Sequence, residues 1–171
     1  MRFGTRTELK RRWTPEGHRP QCPVKIGYEY GYLYCALSPP AGDLFCLLLP
    51  SMEKVCFEKF VTEFEAYLKP QEPADTEQTV LLILDGAGCH QENVLVAGSR
   101  LRIEKLPPAC PELNPVERFF EEVRKELANQ VFEDIQAVER KLTEILKKYW
   151  EKPAIIKQLT LFPYINTSNL N

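Results

Sequence analysis

One short apolar run, Val80–Leu84, constrains the fold of this chain more than any other segment. Apolar and polar residues do not alternate in it, so the strand that it predicts needs cover on both of its faces. A strand of that kind belongs to a sheet with helices packed against both sides. The run ends at Asp85, followed by Gly86, and this order places a carboxylate at the tip of a buried strand.

The segments around this run predict an α/β fold in the order strand, strand, helix, strand, strand, helix, helix. Two apolar segments on either side of the turn residues 38–43 predict a hairpin, and apolar stripes with helical spacing predict the helices. The predicted strands are 24–37, 44–49, 79–84 and 101–106, and the predicted helices are 52–69, one beginning at 115 and one beginning at 135, with a short helical piece after Pro153. A hairpin followed by βαβ crossovers builds a mixed sheet with helices on its faces.

The sequence predicts one helix start more clearly than the others, at Asn114, which is a favoured N-cap. Pro115 takes the first helical position and Glu117 the third. Glutamate at that position completes a capping box, which contributes a fraction of a kcal/mol to about 1 kcal/mol without any catalysis. The helix alone therefore favours a capping role for Glu117 over a ligand role. Asp85 has two equal interpretations, because a turn aspartate at a strand end is as common as a ligand.

The composition excludes several classes of protein. The chain has 171 residues, which suits one domain, and its net charge of -2 lacks the basic surface of an autonomous DNA-binding module. None of the six cysteines forms a CxxC pair and neither histidine stands at zinc-ligand spacing, so we expect reduced, structural thiols. No signal peptide and no membrane-spanning apolar run are visible, which predicts a cytoplasmic protein with no membrane partner.

Three segments of the chain resemble one family of enzymes. Leu84–His90 resembles the D-N/G-A-x-x-H segment of mariner-like DDE transposases and their bacterial insertion-sequence relatives. Leu106–Glu117 is similar to their LPPYSPELNPIE signature, which is specific. Arg2–Gly4 together with Arg11–Pro20 resembles their RFG and RRWTPRGxRP region. The resemblance covers most of the chain.

The resemblance implies an α/β, ribonuclease-H-like mixed β-sheet with helices on both faces, whose first strand is missing or incomplete. In that arrangement carboxylates come from the first strand, the tip of the fourth strand and a later helix. By this correspondence Asp85 is the second metal ligand and Glu117 the third, in a site for two Mg²⁺ or Mn²⁺ ions. His90 is expected beside the site as a phosphate contact, although a lone loop histidine is more often structural.

The resemblance also implies DNA as the partner, namely transposon ends and target, bound by a homodimer. Arg11, Arg12 and Arg19 are candidates for contacts to DNA phosphates, and a solvated basic surface is the alternative interpretation of these residues.

The family's first catalytic aspartate stands ahead of the position matched by Met1, and neither Glu29 nor Asp43 is an obvious substitute. We therefore expect a single DDE transposase catalytic domain over residues 1–171, without the helix-turn-helix domain that holds transposon ends. One hypothesis is an enzyme that cleaves and joins DNA in cut-and-paste transposition. The other is a catalytically inactive remnant that acts as a DNA- or protein-binding module.

Overall fold

A computed structural model of the chain describes residues 1–68, 79–86, 94–95 and 99–165. The strands are β1 (Arg2–Gly4), β2 (Tyr30–Ser38), β3 (Asp43–Leu49), β4 (Val80–Leu84) and β5 (Leu101–Lys105), and the helices are α1 (Lys54–Leu68), α2 (Pro115–Leu127), α3 (Ile135–Glu151) and α4 (Pro153–Thr160). A short 3₁₀ turn, Pro111–Leu113, precedes α2. No helix within these ranges combines the length and the hydrophobicity needed to cross a bilayer.

The strands pair in two groups. β1, β2 and β3 form an antiparallel sheet in that order, whereas β4 and β5 form a parallel pair with Val80 opposite Leu101. β3 pairs with β2 from Tyr32 to Ser38, but β1 covers the other edge of β2 only from Tyr30 to Tyr32. Within the described residues, no strand lies beside the rest of that edge, or beside the edge of β4 that faces away from β5.

Consecutive residues of β2 face two separate apolar cores. Leu33 is fully buried in a core built with α2, α3 and α4, and Tyr34 is buried on the opposite face in a core built with α1. The three-helix core includes Phe3, Leu33, Leu44, Phe119, Val123, Leu142, Ile145 and Ile156, and the α1 core includes Tyr34, Phe57, Phe60, Phe64, Leu82, Leu84 and Ile103. The predicted α/β fold with helices on both faces is therefore confirmed.

The predicted hairpin is present, but its first strand is shorter than expected. Its turn contains Gly42 at a φ of 77°, a left-handed conformation that glycine adopts without strain. The N–H of Thr5 donates to Glu29 O in the register of β1 and β2, whereas the N–H of Thr7 donates to Lys25 O, two residues out of that register. The ladder breaks at this slip, so β2 begins at Tyr30 and the prediction of a strand over 24–29 is wrong.

Two further details differ from the expectation. No element is predicted for Arg2–Gly4, yet these residues form β1, because a strand of three residues has no visible periodicity and depends on its partner. The prediction that both faces of β4 are covered is also wrong for one face. Leu82 and Leu84 are buried in the α1 core, but Leu81 and Ile83 on the other face are 52% and 51% exposed.

As far as the described ranges extend, β2 and β4 each have an edge without a partner strand. We expect these edges to promote association between copies of this chain, because an uncovered strand edge accepts another strand. The apparent mass in size-exclusion chromatography with light scattering should rise with protein concentration. Ile83→Lys, which places a charge on the exposed face of β4, should shift the protein towards monomer.

Gln136→Lys is the matched control, since it adds the same charge at an exposed position of α3. A monomer at every concentration for the unmodified chain would contradict this expectation.

Tyr149 links α3 to α2 inside the three-helix core. Its ring packs edge-on against Phe119, with ring centroids 5.0 Å apart, and its hydroxyl lies 3.4 Å from Glu126 Oε1. Burial, and then the negative charge of Glu126, raise the pKa of Tyr149 to about 12. The folded state therefore holds the phenol proton more tightly than the unfolded chain does.

A raised pKa of this kind makes the fold sensitive to alkali. The stabilisation is complete below the ordinary pKa of 10.0 and is lost as the pH rises from there to about 12. We expect the free energy of unfolding, measured by urea titration, to fall across this window. Tyr149→Phe should remove that part of the fall, and an equal fall in the variant would show that other groups cause it.

Candidate metal centre

Asp85 stands at the end of a strand whose position is fixed on one face by the α1 core. The parallel pairing of β4 with β5 runs to Leu84, and the N–H of Leu106 then donates to Leu84 O at 2.8 Å. Leu84 is buried, Asp85 is half-buried and Gly86 is exposed. The carboxylate therefore emerges where the sheet meets solvent, as the apolar run predicted.

Glu117 stands in the first turn of α2, where the predicted helix start is confirmed. The side chain of Asn114 accepts a hydrogen bond from the N–H of Val116 at 3.3 Å. A capping box also requires the glutamate to accept from the N–H of Asn114, but that N–H donates to Pro111 O at 3.0 Å. The half-buried carboxylate of Glu117 instead lies 3.9 Å from Arg124. The capping role favoured by the helix pattern is therefore not the one that Glu117 has.

Both carboxylates border one cavity of about 1050 Å³, named here the central cavity, which lies between β2 and β4. Successive residues of both strands line it, including Tyr34–Leu37 and Val80–Leu84. Side chains of successive strand residues point to opposite faces, so a cavity that touches all of them lies beside the strand edges, between the sheet of β2 and the sheet of β4. Asp85 and Glu117 thus reach the same opening from different elements.

The amino group of Met1 lies in the same place. It donates to Leu33 O at 2.7 Å. Burial lowers the pKa of this ammonium, Arg124 lowers it further, and the carboxylates of Glu117 and Asp85 raise it. The partly buried ammonium therefore lies within electrostatic range of both carboxylates.

The donor set has the chemistry of a magnesium or manganese site, because both candidates are carboxylates and these ions take oxygen ligands. Two carboxylates leave the remaining coordination positions to water or to a phosphate oxygen. Among the described residues there is no group of three or more His, Cys, Asp or Glu side chains that would hold a metal ion.

The three candidate arginines lie elsewhere. Arg11, Arg12 and Arg19 are exposed and none of them lines the central cavity. Arg12 donates to Asn129 O at 3.1 Å, which gives it a structural role. His90 falls outside the described residues, so its expected place beside the site stays a prediction.

Asn129, two residues beyond the end of α2, holds the basic segment Lys10–Arg12 in place. Its side-chain oxygen accepts from the N–H of Lys10 at 3.0 Å, its side-chain nitrogen donates to Lys10 O at 3.1 Å, and its N–H donates to Glu8 O at 2.8 Å. Its φ of 60° is one that asparagine tolerates better than most residues. The contact of Asn129 with Lys10 has no motif that would reveal it in the sequence, whereas Glu117 and Arg124 are seven positions apart, so a helix places them on one face.

Comparison with known proteins identifies the family and the fold. The sequence profile of the DDE superfamily endonuclease family matches residues 1–139. A relative from Sinorhizobium fredii (strain NBRC 101917 / NGR234), the uncharacterized protein y4pE/y4sA, is 26% identical over 140 residues, which make up 81% of this chain and 99% of that protein.

Solved structures of Mos1 are similar in fold. The Mos1 transposase paired-end complex with left transposon end matches with a TM-score of 0.62 and 19% identity, over 92% of this chain and 50% of the Mos1 chain. The Mos1 mariner paired-end complex with Mn matches with a TM-score of 0.61 and 18% identity, over 94% and 52%. The likeness confirms the ribonuclease-H-like fold. The chain spans about half the length of the solved chains that it matches.

We expect Asn129→Ala to loosen the basic segment, because it removes both side-chain bonds to Lys10 and leaves alanine at a positive φ. The free energy of unfolding should fall by roughly 1 to 2 kcal/mol, and trypsin should cut faster after Arg11 and Arg12. Asn129→Gly loses the same side-chain hydrogen bonds but adopts the positive φ without strain. It therefore separates the contribution of the hydrogen bonds from that of the backbone conformation.

Thr143→Ala, an exposed change on α3, is the control that should leave the cleavage rate unchanged. Unaltered proteolysis of Asn129→Ala would show that the segment is held by other contacts.

Proposed function

Since the chain belongs to the DDE superfamily endonuclease family, we propose that it is a DNA transposase catalytic domain that cleaves and joins phosphodiester bonds with a divalent metal ion. Asp85 and Glu117 are the proposed ligands. The proposed partners are transposon ends and target DNA, with a homodimer pairing the two ends. Similar solved structures are named as Mos1 complexes with a transposon end and as a strand transfer complex, which supports DNA as the partner.

One observation carries this proposal. Two carboxylates that stand 32 positions apart in the sequence line the same cavity, and the partly buried ammonium of Met1 lies within electrostatic range of both. The main competing role for Glu117 is weakened, because the N–H that a capping box needs already donates to Pro111.

A bound ion would activate the attacking water or hydroxyl and stabilise the leaving oxygen of the phosphodiester. The part played by this chain is to hold the ligands still. Asp85 follows a strand packed in the α1 core, and Glu117 lies on a helix packed in the three-helix core. Rigid elements hold ligands more accurately than loops do. The relative named as a complex with Mn supports Mn²⁺ as an alternative to Mg²⁺.

The two-metal arrangement of the family requires another acidic ligand, and the described residues hold no cluster of three potential ligands. With two carboxylates, the chain is expected to bind the ion weakly. A test of DNA cleavage separates the enzyme from the inactive remnant, since the remnant would retain the site but would not cut DNA.

We expect Mn²⁺ to bind the purified chain at the two carboxylates, as followed by the electron paramagnetic resonance signal of unbound Mn²⁺. Asp85→Asn and Glu117→Gln keep the side-chain shapes but remove the charges, and each should weaken binding by about 10-fold or more. Glu112→Gln is the matched control, because Glu112 is exposed, lies just before α2 and does not line the cavity. Equal binding by all four proteins would exclude the proposed ligands.

Cleavage of DNA is the separate measurement. Incubation with transposon-end duplex and Mg²⁺ or Mn²⁺ should give strand breaks that disappear in Asp85→Asn. Breaks that persist in that variant would remove Asp85 from the mechanism. Binding of the ion without any cleavage would favour the inactive remnant.

A further inference from the structure

Cys35 of β2 and Cys46 of β3 lie directly opposite each other in the antiparallel hairpin. Their sulfur atoms are 2.9 Å apart. Opposite residues of an antiparallel pair project to the same face, with Cα atoms about 4.5 or 5.5 Å apart, and disulfides form over about 4.4 to 6.8 Å. The backbone therefore already has the separation that a disulfide between these residues requires.

The other described cysteines are placed differently. Cys56 contacts the hydroxyl of Ser51 at 3.3 Å, Cys22 contacts Asn129 O at 3.7 Å, and Cys110 contacts Pro108 O at 3.5 Å. Within the ranges that the structure describes, Cys35 and Cys46 are thus the cysteines that face each other. This juxtaposition comes from the strand register and not from any spacing motif.

The surroundings distinguish the two thiols. Cys35 lines the central cavity and interacts electrostatically with the ammonium of Met1, so a reagent in the cavity reaches it. Burial, and then the hydrogen bond with Cys35, raise the pKa of the Cys46 thiol well above its ordinary value. Cys35 lines the cavity and Cys46 does not, so Cys35 is the sulfur that a reagent in the cavity meets first.

We propose that Cys35 and Cys46 form a redox-active dithiol that closes to a disulfide on exchange with a small disulfide such as oxidised glutathione. The Cys35 thiolate attacks one glutathione sulfur, forms a mixed disulfide and releases one glutathione. Cys46 then loses its proton and attacks Cys35 sulfur, releasing the second glutathione. The two thiols lose two electrons and two protons, and one oxidised glutathione becomes two reduced molecules. This exchange does not depend on the proposed transposase activity.

The bond joins the middle of β2 to the middle of β3. It closes a loop through the hairpin turn and so restricts the unfolded chain. Because β2 separates the two cores, the oxidised hairpin resists unfolding of both. We expect the thermal midpoint to rise on the order of 5 °C on oxidation.

The test is to incubate the full chain with oxidised glutathione and to analyse it by mass spectrometry without reduction. We expect the intact mass to fall by two hydrogen atoms and a proteolytic map to link the peptides that contain Cys35 and Cys46. Dithiothreitol should restore both thiols and the original thermal midpoint. Cys35→Ser and Cys46→Ser should each abolish the linkage, with circular dichroism confirming that the variants fold.

Cys56→Ser is the matched control and should form the same linked peptides as the unmodified chain. The proteolytic map of the unmodified chain tests for the Cys35–Cys46 disulfide even if a variant fails to fold. Links between other cysteines, glutathione adducts alone, or two thiols that stay open to alkylation would each overturn the proposal.

Discussion

Burial of both faces of β2 is the constraint on which the rest of this structure depends. Leu33 fills the three-helix core, and the adjacent Tyr34 fills the α1 core. A shift of the strand by one residue would exchange the two faces, so the register is firmly specified. That register places Met1 against Leu33, leaves the rest of the same edge without a strand among the described residues, and sets Cys35 opposite Cys46.

The charges in the central cavity follow from this arrangement. Asp85 belongs to an element of the α1 core and Glu117 to an element of the three-helix core, so the distance between them depends on how the two cores pack around β2. Carboxylates beside an apolar cavity lose hydration, and a nearby cation offsets that loss. The Met1 ammonium is one such cation.

Much of the fold was predictable because its signals are local. The caps Asn114 and Asp134 each accept a backbone hydrogen bond at the predicted helix starts, and the apolar run ends at Leu84 as expected. The errors arise where distant segments decide the outcome. The shift in register at Thr7 ends the pairing with β1, so β2 begins only at Tyr30. One face of β4 is uncovered, which leaves Ile83 exposed. The role of Asn129 depends on a contact with the distant Lys10 that no motif indicates.

The sequence by itself determined the elements and the residue types available for chemistry, because caps, turns and apolar periodicity act over a few neighbouring residues. It placed Asp85 at a strand tip and Glu117 in a helical turn, but it left both with ordinary structural interpretations. Only the tertiary structure decided that both open onto one cavity and that Cys35 faces Cys46. Such distances are set by the packing of two cores on one strand, a long-range property that local patterns do not contain.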